Sequence, residues 1–322
     1  WPARGRARAA GEPGWIRLAF SPAGKTTGEF SGRRSRAGAS GFLRPEMPDS
    51  RPERRRHILI ETEDVQRWSM IPKLEVSHLC YSYHTMEGET EALSDLSFQV
   101  QTGEFLAVVG PSGCGKSTLL SLICGLLKPD SGRILLDGQP VLEGDTRIGY
   151  MLQKDHLFEW RTIRSNACLG LEIQKKMDPD HEKKVEELLK AYGLGNFAEA
   201  RPSELSGGMR QRAALIRTLA LEPDLLLLDE PFSALDYQTR LTVCDDISTI
   251  IRSRKKTAVL ITHDLSEAVS AADRILILTR RPGRIKDTIS ITFPKEADSP
   301  LKRRNFPEFS VYFNEVWKIL KE

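Results

Sequence analysis

The chain has 322 residues, of which 28% are charged and 40% hydrophobic, a composition ordinary for one large folded domain or two smaller ones. Its net charge of +3 is unevenly spread, because residues 1–69 carry 14 Lys+Arg against 8 Asp+Glu and the remainder carries 33 against 36. This charge balance argues against a basic nucleic-acid binder for the main body of the chain.

The cysteines and the hydrophobic runs indicate the redox compartment and whether the chain spans a membrane. The five cysteines form neither a C-x-x-C pair nor a cluster with the six histidines, which favours reduced thiols in a cytoplasm over a disulfide framework. No run approaches the roughly 18 consecutive apolar residues of a membrane span. We therefore expect any span that this protein works with to belong to another chain.

Residues 1–69 are predicted to be a disordered basic leader. They hold 8 Gly, 6 Pro and 13 Arg with little hydrophobic periodicity, so they cannot supply a core. Two interpretations remain: a basic arm that binds phosphates or anionic lipid, or a leader without a role that includes sequence upstream of a true start at Met70. A secretory signal is not expected, since no sustained apolar segment precedes a small-residue cleavage site.

From Met70 onward the sequence alternates between strand and helix patterns. KLEVSHLCYSY and ALSDLSFQV alternate like two strands around the polar turn MEGETE, residues 86–91. EFLAVV, LLLLD, TAVLIT and RILILT are typical of buried strands and are separated by helical stretches. This order predicts an α/β fold with a mostly parallel sheet and helices on its faces.

Helix patterns dominate residues 155–221, which predicts a helical subdomain inserted into the sheet domain. Its clearest helix places four side chains on one face: Val185, Leu188, Leu189 and Tyr192. A further helix is predicted over about 300–321. It carries one apolar stripe of Phe306, Phe309, Phe313, Val316, Trp317 and Leu320. We expect this stripe to pack on the core, with a partner interface as the alternative.

The clearest motif is GPSGCGKST, which follows the strand EFLAVV and opens the helix STLLSLICGLL. It fits G-x-x-x-x-G-K-[ST], in which glycines let backbone N–H groups wrap a phosphate at a helix N-terminus. Lys116 is expected to reach the β- and γ-phosphates, and the Ser117 hydroxyl to bind Mg²⁺. The predicted nucleotide contacts in this loop are Gly110, Pro111, Ser112, Gly113, Cys114, Gly115, Lys116, Ser117 and Thr118.

Polar residues that follow other buried strands would complete the site. LLLLDEP delivers Asp229, predicted to hold Mg²⁺ through water, and Glu230, predicted to orient the attacking water or accept its proton. Gln153, which ends IGYMLQ, is a candidate ligand of Mg²⁺ or of the water. His263, in THD after TAVLIT, is a candidate contact to the γ-phosphate.

The stretch LSGGMRQR, residues 205–212, places Ser206, Gly207 and Gly208 directly before a predicted helix. Glycine lowers helix propensity by about 1 kcal/mol, so exposed N–H groups at this helix start are expected to serve a ligand.

Together, YSY, GPSGCGKST, MLQ, LSGGMRQR, LLLLDEP, SALD and THD occur in an order that resembles an ATP-binding-cassette (ABC) nucleotide-binding subunit over about residues 73–293. The resemblance implies a P-loop, RecA-like fold over 70–322, with a mostly parallel sheet core, an antiparallel β subdomain and the inserted helical subdomain. It also implies a head-to-tail dimer of identical copies, in which Ser206, Gly207 and Gly208 of one copy contact the γ-phosphate of ATP held by the other.

The same resemblance assigns roles to single residues. Tyr83 becomes the aromatic that stacks on adenine, with Tyr81 as the alternative. Gln153 becomes the residue that links the catalytic and helical lobes, Asp236 in SALD the dimer-contact aspartate, and His263 the switch histidine. The implied cofactors are ATP and Mg²⁺.

LSGGMRQR, SALDYQTR and RRPGRI make the chain most similar to the nitrate, sulfonate and taurine group of importer subunits. That likeness implies an ATP-hydrolysing, energy-coupling subunit at the cytoplasmic face of the membrane, with permease subunits and an external solute-binding protein as partners. DHLFEWRTIRSNACLGLEI, residues 155–173, occupies the position that receives a permease helix, although Glu159-Trp160 replaces the usual Pro-Trp. The solute stays open, and pyrimidine precursors of vitamins are also compatible.

Two other functions were weighed. A soluble ABC ATPase acting on nucleic acid or ribosomes would need a second cassette, a long coiled coil or a zinc hook, and the sequence shows none of these. A P-loop kinase or GTPase would leave LSGGMRQR without a role, and no guanine-specifying N-K-x-D motif follows. No nucleic-acid partner is expected.

Overall fold

The computed structural model describes residues 71–86 and 88–322. The prediction of a disordered leader over residues 1–69 concerns a part of the chain outside the described residues. The strands are β1 (Leu74–Thr85), β2 (Gly88–Val100), β3 (Phe105–Val109), β4 (Ser131–Leu136), β5 (Gln139–Pro140), β6 (Ile148–Met151), β7 (Leu225–Asp229), β8 (Thr257–Ile261), β9 (Arg274–Leu278) and β10 (Ile285–Ser290). The helices are α1 (Lys116–Ile123), α2 (Ile163–Ile173), α3 (Pro179–Ala191), α4 (Gly207–Leu219), α5 (Tyr237–Ser253), α6 (Leu265–Ala271), α7 (Pro300–Arg303) and α8 (Pro307–Lys321).

Within the described residues the strands form two sheets. A six-stranded sheet has the order β10-β9-β3-β8-β7-β6 and is parallel except for β10, which pairs antiparallel with β9. A four-stranded antiparallel sheet has the order β2-β1-β4-β5. The predicted α/β class, with a mostly parallel core and an antiparallel β subdomain, is confirmed.

The turn between the first two strands is shorter than the sequence pattern predicted. Residues 88–91 pair with residues 82–85 and extend the hairpin almost to its tip. Because this end of the hairpin is exposed on both faces, its side chains do not alternate in polarity, although the backbone ladder continues.

The core lies on both faces of the six-stranded sheet. Every residue of β3, β7 and β8 is buried, as expected for parallel strands covered on both sides. Alternate side chains of β3 point to opposite faces: Phe105 joins the cluster on the side of the helical subdomain, and Leu106 joins the cluster of α1 and the antiparallel sheet. Since β3 leads directly into the GPSGCGKST loop, this double burial fixes where that loop begins.

Helices α2, α3 and α4 lie between β6 and β7 and form the inserted helical subdomain. Helix α3 begins at Pro179 after Asp178, whose carboxylate accepts a hydrogen bond from the His181 N–H at 2.9 Å. Three of its four predicted core residues are buried and Tyr192 is half-buried against the same cluster: Val185, Leu188, Leu189 and Tyr192.

The C-terminal segment differs from its prediction in two ways. It forms two helices, α7 and α8, because Pro307 follows a residue held in extended conformation and lacks the N–H that a continuous helix needs. Trp317 is 47% exposed, so it does not belong to the core stripe around the buried Val316. Tyr312 and Ile319 pack on the core instead, and the Lys321 ammonium lies 4.8 Å from the centre of the Trp317 ring.

No helix in the described part of the chain is both long and apolar enough to cross a bilayer.

Candidate nucleotide-binding site

The GPSGCGKST loop joins β3 to α1 and carries the conformations that only glycine adopts readily. Gly113 has a φ of 74° and Gly115 a φ of 102°. A Cβ on Gly115 would lie 2.5 Å from Leu93 Cδ2, so both its conformation and its packing require glycine. The close approach brings the loop against β2 and sets the direction in which α1 starts.

The first turn of α1 offers free hydrogen-bond donors. In the part of the chain that the structure describes, no side chain caps this helix, and Leu119 is the first residue whose N–H reaches a helix carbonyl, that of Gly115. By helix geometry, the N–H groups of Lys116, Ser117 and Thr118 have no intrahelical acceptor. These donors, together with the positive end of the helix dipole, fit a phosphate group.

Lys116 is buried, and its ammonium is held by the loop itself. Its Nζ donates hydrogen bonds to the carbonyl oxygens of Gly110 at 2.9 Å and Pro111 at 3.1 Å. Its Nζ also lies 3.8 Å from the Cys114 Sγ, and an ammonium held by such neutral groups can still pair with an anion in the loop.

Asp229 ends β7 beside the start of α1. Its Oδ1 accepts a hydrogen bond from the Ser117 hydroxyl and its Oδ2 one from Tyr150, each at 3.3 Å. Burial raises the pKa of the Asp229 carboxyl, and these two hydrogen bonds oppose that rise. A carboxylate next to a hydroxyl is an oxygen donor pair that suits Mg²⁺.

Tyr150 was not predicted from the sequence. Burial, followed by the nearby Asp229 charge, raises the pKa of its phenol, which therefore stays protonated and donates to Asp229. The only feature of the sequence that could have pointed to Tyr150 as a site residue is its position three residues before Gln153.

Glu230 lies at the centre of a side-chain cluster formed by three strand ends. Its Oε2 accepts a hydrogen bond from Gln153 Nε2 at 3.2 Å and lies 3.1 Å from His263 Nδ1. Its own N–H donates to the Ile261 carbonyl at 2.9 Å, and its φ is 44°, an uncommon value for a residue with a side chain. The backbone is thus pinned to β8 while the carboxylate is turned toward Gln153 and His263.

Of these groups, Lys116, Ser117, Glu230 and His263 line one cavity of about 540 Å³, and Gln153, Tyr150 and Asp229 do not. Its lining residues are Ser112, Gly113, Gly115, Lys116, Ser117, Thr118, Glu230, His263 and Arg281. Arg281 was missed because nothing in RRPGRI links it to the phosphate loop before the chain folds. Three predicted loop contacts do not line the cavity: Gly110, Pro111 and Cys114. The Cys114 side chain instead packs into the core beneath the loop.

Tyr83 lies beside the last residue of the loop. Its hydroxyl is 3.0 Å from the Thr118 Oγ1, and its ring is more than one-third exposed. The Tyr81 ring packs against it edge-on, with centroids 5.0 Å apart. Of the two tyrosines considered for adenine, Tyr83 is the one that the structure brings to the loop.

The glycines of LSGGMRQR have a packing role in the folded chain. Ser206 caps α4 by accepting a hydrogen bond from the Met209 N–H at 3.4 Å. Gly208 is buried, and a Cβ there would lie 2.9 Å from Val243 Cγ2 of α5. Ligand contact alone was predicted to explain these glycines, but close packing of α4 on α5 already requires Gly208. Among the described residues, 206–208 do not line the cavity of their own chain.

Asp236 caps α5 and is connected to the His263 segment. Its Oδ1 accepts the Thr239 N–H at 3.1 Å, and hydrogen bonds from Thr239 lower its pKa. Arg240, one turn later, donates to the Leu235 carbonyl at 3.0 Å and to Asp264 Oδ2 at 3.3 Å. This arginine, which the sequence analysis did not single out, therefore joins the segment before Asp236 to the residue after His263.

The sheet order, with the phosphate-type loop between β3 and α1, is that of a P-loop nucleotide-binding protein. A family model described as "ABC transporter" matches residues 93–233. The chain is 40% identical over 252 residues to the nitrate import ATP-binding protein of Synechocystis, covering 77% of this chain and 95% of that protein. It is 43% identical over 215 residues to the aliphatic sulfonates import ATP-binding protein of Bacillus licheniformis, covering 66% of this chain and 83% of that protein.

A similar solved structure is that of an ATP-binding cassette in a dimeric, post-hydrolysis state bound to ADP and Pi. The two chains share 30% identity with a TM-score of 0.59, over 69% of this chain and 100% of that one. This chain belongs to the ABC transporter ATP-binding proteins, and it is an ATPase of that family. The predicted family resemblance and enzyme class are confirmed.

Proposed function

We propose that this chain is the energy-coupling subunit of an ABC importer, which hydrolyses ATP to drive uptake through a separate permease at the cytoplasmic face of the membrane. Two of its relatives are named as import ATP-binding proteins, for nitrate and for aliphatic sulfonates. By that likeness, the solute is nitrate, a sulfonate, taurine or a similar small molecule, received from an external binding protein through the permease.

The observation that carries the proposal is the division of the site between two surfaces. The phosphate loop, Glu230 and His263 line one cavity, whereas Ser206, at the positive end of α4, is not among its lining residues. A second copy, placed head to tail, would supply Ser206, Gly207 and Gly208 to the γ-phosphate, and Asp236 would contact the partner. ATP would then bridge only the closed dimer, so that binding closes it and hydrolysis reopens it.

Within each site the residues take distinct roles. The loop N–H groups and Lys116 bind the phosphates, and Tyr83 stacks on adenine. Ser117, Gln153 and Asp229 are the residues that would hold Mg²⁺, which neutralises phosphate charge when bound. Glu230 takes a proton from the attacking water or orients it. His263 contacts the γ-phosphate and holds Glu230.

The proposed permease contact is an exposed aromatic pair after Gln153. The rings of Phe158 and Trp160 stack with centroids 4.6 Å apart, and Trp160 is 73% exposed. The buried Asn166 holds the backbone beneath them, because it accepts the Phe158 N–H at 2.8 Å and donates to the carbonyls of Phe158 and Thr162. A firmly held, exposed aromatic pair is suited to receiving a helix in a groove.

The proposal is tested by reconstituting the full chain in liposomes with an ABC importer permease from its own genome. Uptake of one of the named solutes that requires both ATP and the permease is the expected result. Glu230→Gln protein supplies the control, since it should assemble with the permease without driving uptake. A chain that hydrolyses ATP but neither binds this permease nor supports any uptake would contradict the importer function while leaving the ATPase assignment intact.

A further inference from the structure

The loop between β9 and β10 brings one arginine into the wall of the phosphate cavity. We propose that Arg281 is a further binding residue for the nucleotide's phosphates. The proposal rests on the assignment of this cavity to ATP, and it adds a contact outside the GPSGCGKST loop, the Asp229-Glu230 pair and His263.

The loop between β9 and β10 is hydrogen-bonded to β2, the strand that also packs against Gly115 of the phosphate loop. The Gly283 N–H donates to the Ala92 carbonyl at 2.9 Å, and the Ser94 N–H donates to the Gly283 carbonyl at 3.0 Å. A Cβ on Gly283 would lie 2.2 Å from the Cys114 carbonyl oxygen. The backbone two residues after Arg281 is therefore in contact with the phosphate loop itself.

The loop is also closed on itself, which limits its freedom to move away. The Thr279 N–H donates to the Arg284 carbonyl and the Arg284 N–H to the Thr279 hydroxyl, both at 2.9 Å. The Arg284 guanidinium donates to the Ser94 hydroxyl at 2.8 Å. Arg281 consequently starts from a fixed backbone, which lowers the entropy cost of using its side chain as a binding group.

Among the described residues, one donor of the Arg281 guanidinium is engaged and its terminal nitrogens have no acceptor. Its Nε donates to the Gly113 carbonyl at 3.1 Å, and a terminal nitrogen lies 3.7 Å from the position of a Cβ on Gly113. Within residues 71–86 and 88–322, no carboxylate lies within ion-pair distance of it. A guanidinium presents five N–H donors in a fork that matches two phosphate oxygens, so the remaining donors suit a phosphate.

Two cations thus flank the same loop, each held by its carbonyls. Lys116 is bonded to the carbonyls of Gly110 and Pro111, and Arg281 is bonded to that of Gly113. Both line the cavity that contains the free N–H groups of α1. A polyphosphate is the ligand whose charge compensates both cations at once.

The experiment measures equilibrium binding of ATP and ADP to the full chain with Mg²⁺ present, at low and at high salt. The variants are Arg281→Gln, Arg281→Lys and, as a matched control, Arg280→Gln. The control removes the same charge at the neighbouring residue, whose side chain does not line the cavity. We expect Arg281→Gln to raise the Kd for ATP about tenfold at low salt and less at high salt, Arg281→Lys to recover part of the loss, and Arg280→Gln to bind like the wild type.

Three results would overturn the proposal. Equal Kd values for Arg281→Gln and Arg280→Gln would show that no contact specific to Arg281 exists. A lowered melting temperature without nucleotide, with no recovery by lysine, would make Arg281 a structural tie to Gly113. Unchanged ATP binding with weaker ATP-dependent dimerisation would place the guanidinium against the partner copy. Lys116→Gln distinguishes a failure of the cavity's assignment to ATP from a failure of the Arg281 proposal. If Lys116→Gln leaves ATP binding intact, the assignment of the cavity to ATP fails. If only Arg281→Gln leaves ATP binding intact, the proposal for Arg281 alone fails.

Discussion

His263 Nδ1 lies 3.1 Å from the Oε2 of Glu230, and the same oxygen accepts a hydrogen bond from Gln153. Three residues far apart in the sequence thus converge on one carboxylate oxygen at the ends of β6, β7 and β8. Because the backbone of Glu230 is tied to Ile261, its carboxylate has a defined position relative to the loop that carries Lys116.

Replacing Glu230 by glutamine is expected to lower the ATPase rate at least 100-fold and to leave the Kd for ATP near the wild-type value. The amide still fits between Gln153 and His263 but cannot take a proton from water. Steady-state phosphate release and equilibrium ATP binding measure the two effects, with the exposed Glu89→Gln as control. Turnover at the wild-type rate would remove Glu230 from the mechanism.

Replacing Ser206 by arginine is expected to abolish the ATP-induced dimer while each copy still binds ATP. The long side chain would crowd the phosphate of the opposite copy at the start of α4. Mass measurement with ATP in the Glu230→Gln background detects the dimer, and Ser310→Arg, at an exposed position on α8, controls for the added charge. A dimer that persists in the Ser206 variant would exclude the proposed contact between copies.

Replacing Trp160 by alanine is expected to weaken binding to the permease at least tenfold, because an exposed aromatic anchor loses its contact area. The ATPase rate of the isolated chain should stay unchanged. Trp317→Ala is a matched control, since Trp317 is also exposed but lies on α8. Co-purification with the permease makes the comparison, and equal retention of both variants would argue against docking at Phe158 and Trp160.

Glu267 gives a prediction about pH. It is 2% exposed, and burial, reinforced by the charge of Asp264 and opposed by the Thr262 hydroxyl, Arg240 and His263, raises its pKa from 4.5 to about 7. The folded protein therefore keeps this proton up to a higher pH than the unfolded chain, so ionisation destabilises the fold as pH rises from about 4.5 to about 7.

Glu267→Gln is expected to remove that loss, because the amide oxygen can still accept from Thr262. Relative to the wild type, its free energy of unfolding should increase between pH 5 and 7, by up to about 3 kcal/mol, and the difference should be constant at higher pH. Denaturant titrations at several pH values measure it. Glu89→Gln, at an exposed carboxylate, controls for the removed charge; a difference that does not change with pH for Glu267→Gln would refute a raised pKa.

Replacing Gly283 by alanine is expected to destabilise the fold by about 2 kcal/mol, because its Cβ would meet the Cys114 carbonyl and the backbone would have to move. The shift also displaces Arg281, so the Kd for ATP should rise. Gly193→Ala, where a Cβ meets no atom within 4 Å, carries only the conformational strain of its positive φ and serves as the control. Thermal unfolding and ATP binding measure both effects. A Gly283 variant as stable as the control would show that the loop backbone can shift without loss of stability.

The sequence predicted the fold class well because its signals are local. Residues 225–228 and 258–261 are continuous apolar runs and lie in strands buried on both faces. The hairpin tip and the C-terminal segment were predicted less well. At the tip, exposed strand residues carry no alternating pattern, and near the C-terminus Pro307 interrupts an otherwise continuous apolar stripe.

For this protein, the sequence by itself determined the family and the enzyme class and predicted candidate residues for phosphate chemistry, since these depend on motifs of a few neighbouring residues. Only the tertiary structure decided which of those side chains meet. It joined Gln153, Glu230 and His263, buried Cys114 beneath the loop, required Gly208 for packing on α5, and brought Arg281 to Gly113. The physical reason is that contacts between residues distant in the sequence are set by sheet order and close packing, which no local pattern of residues encodes.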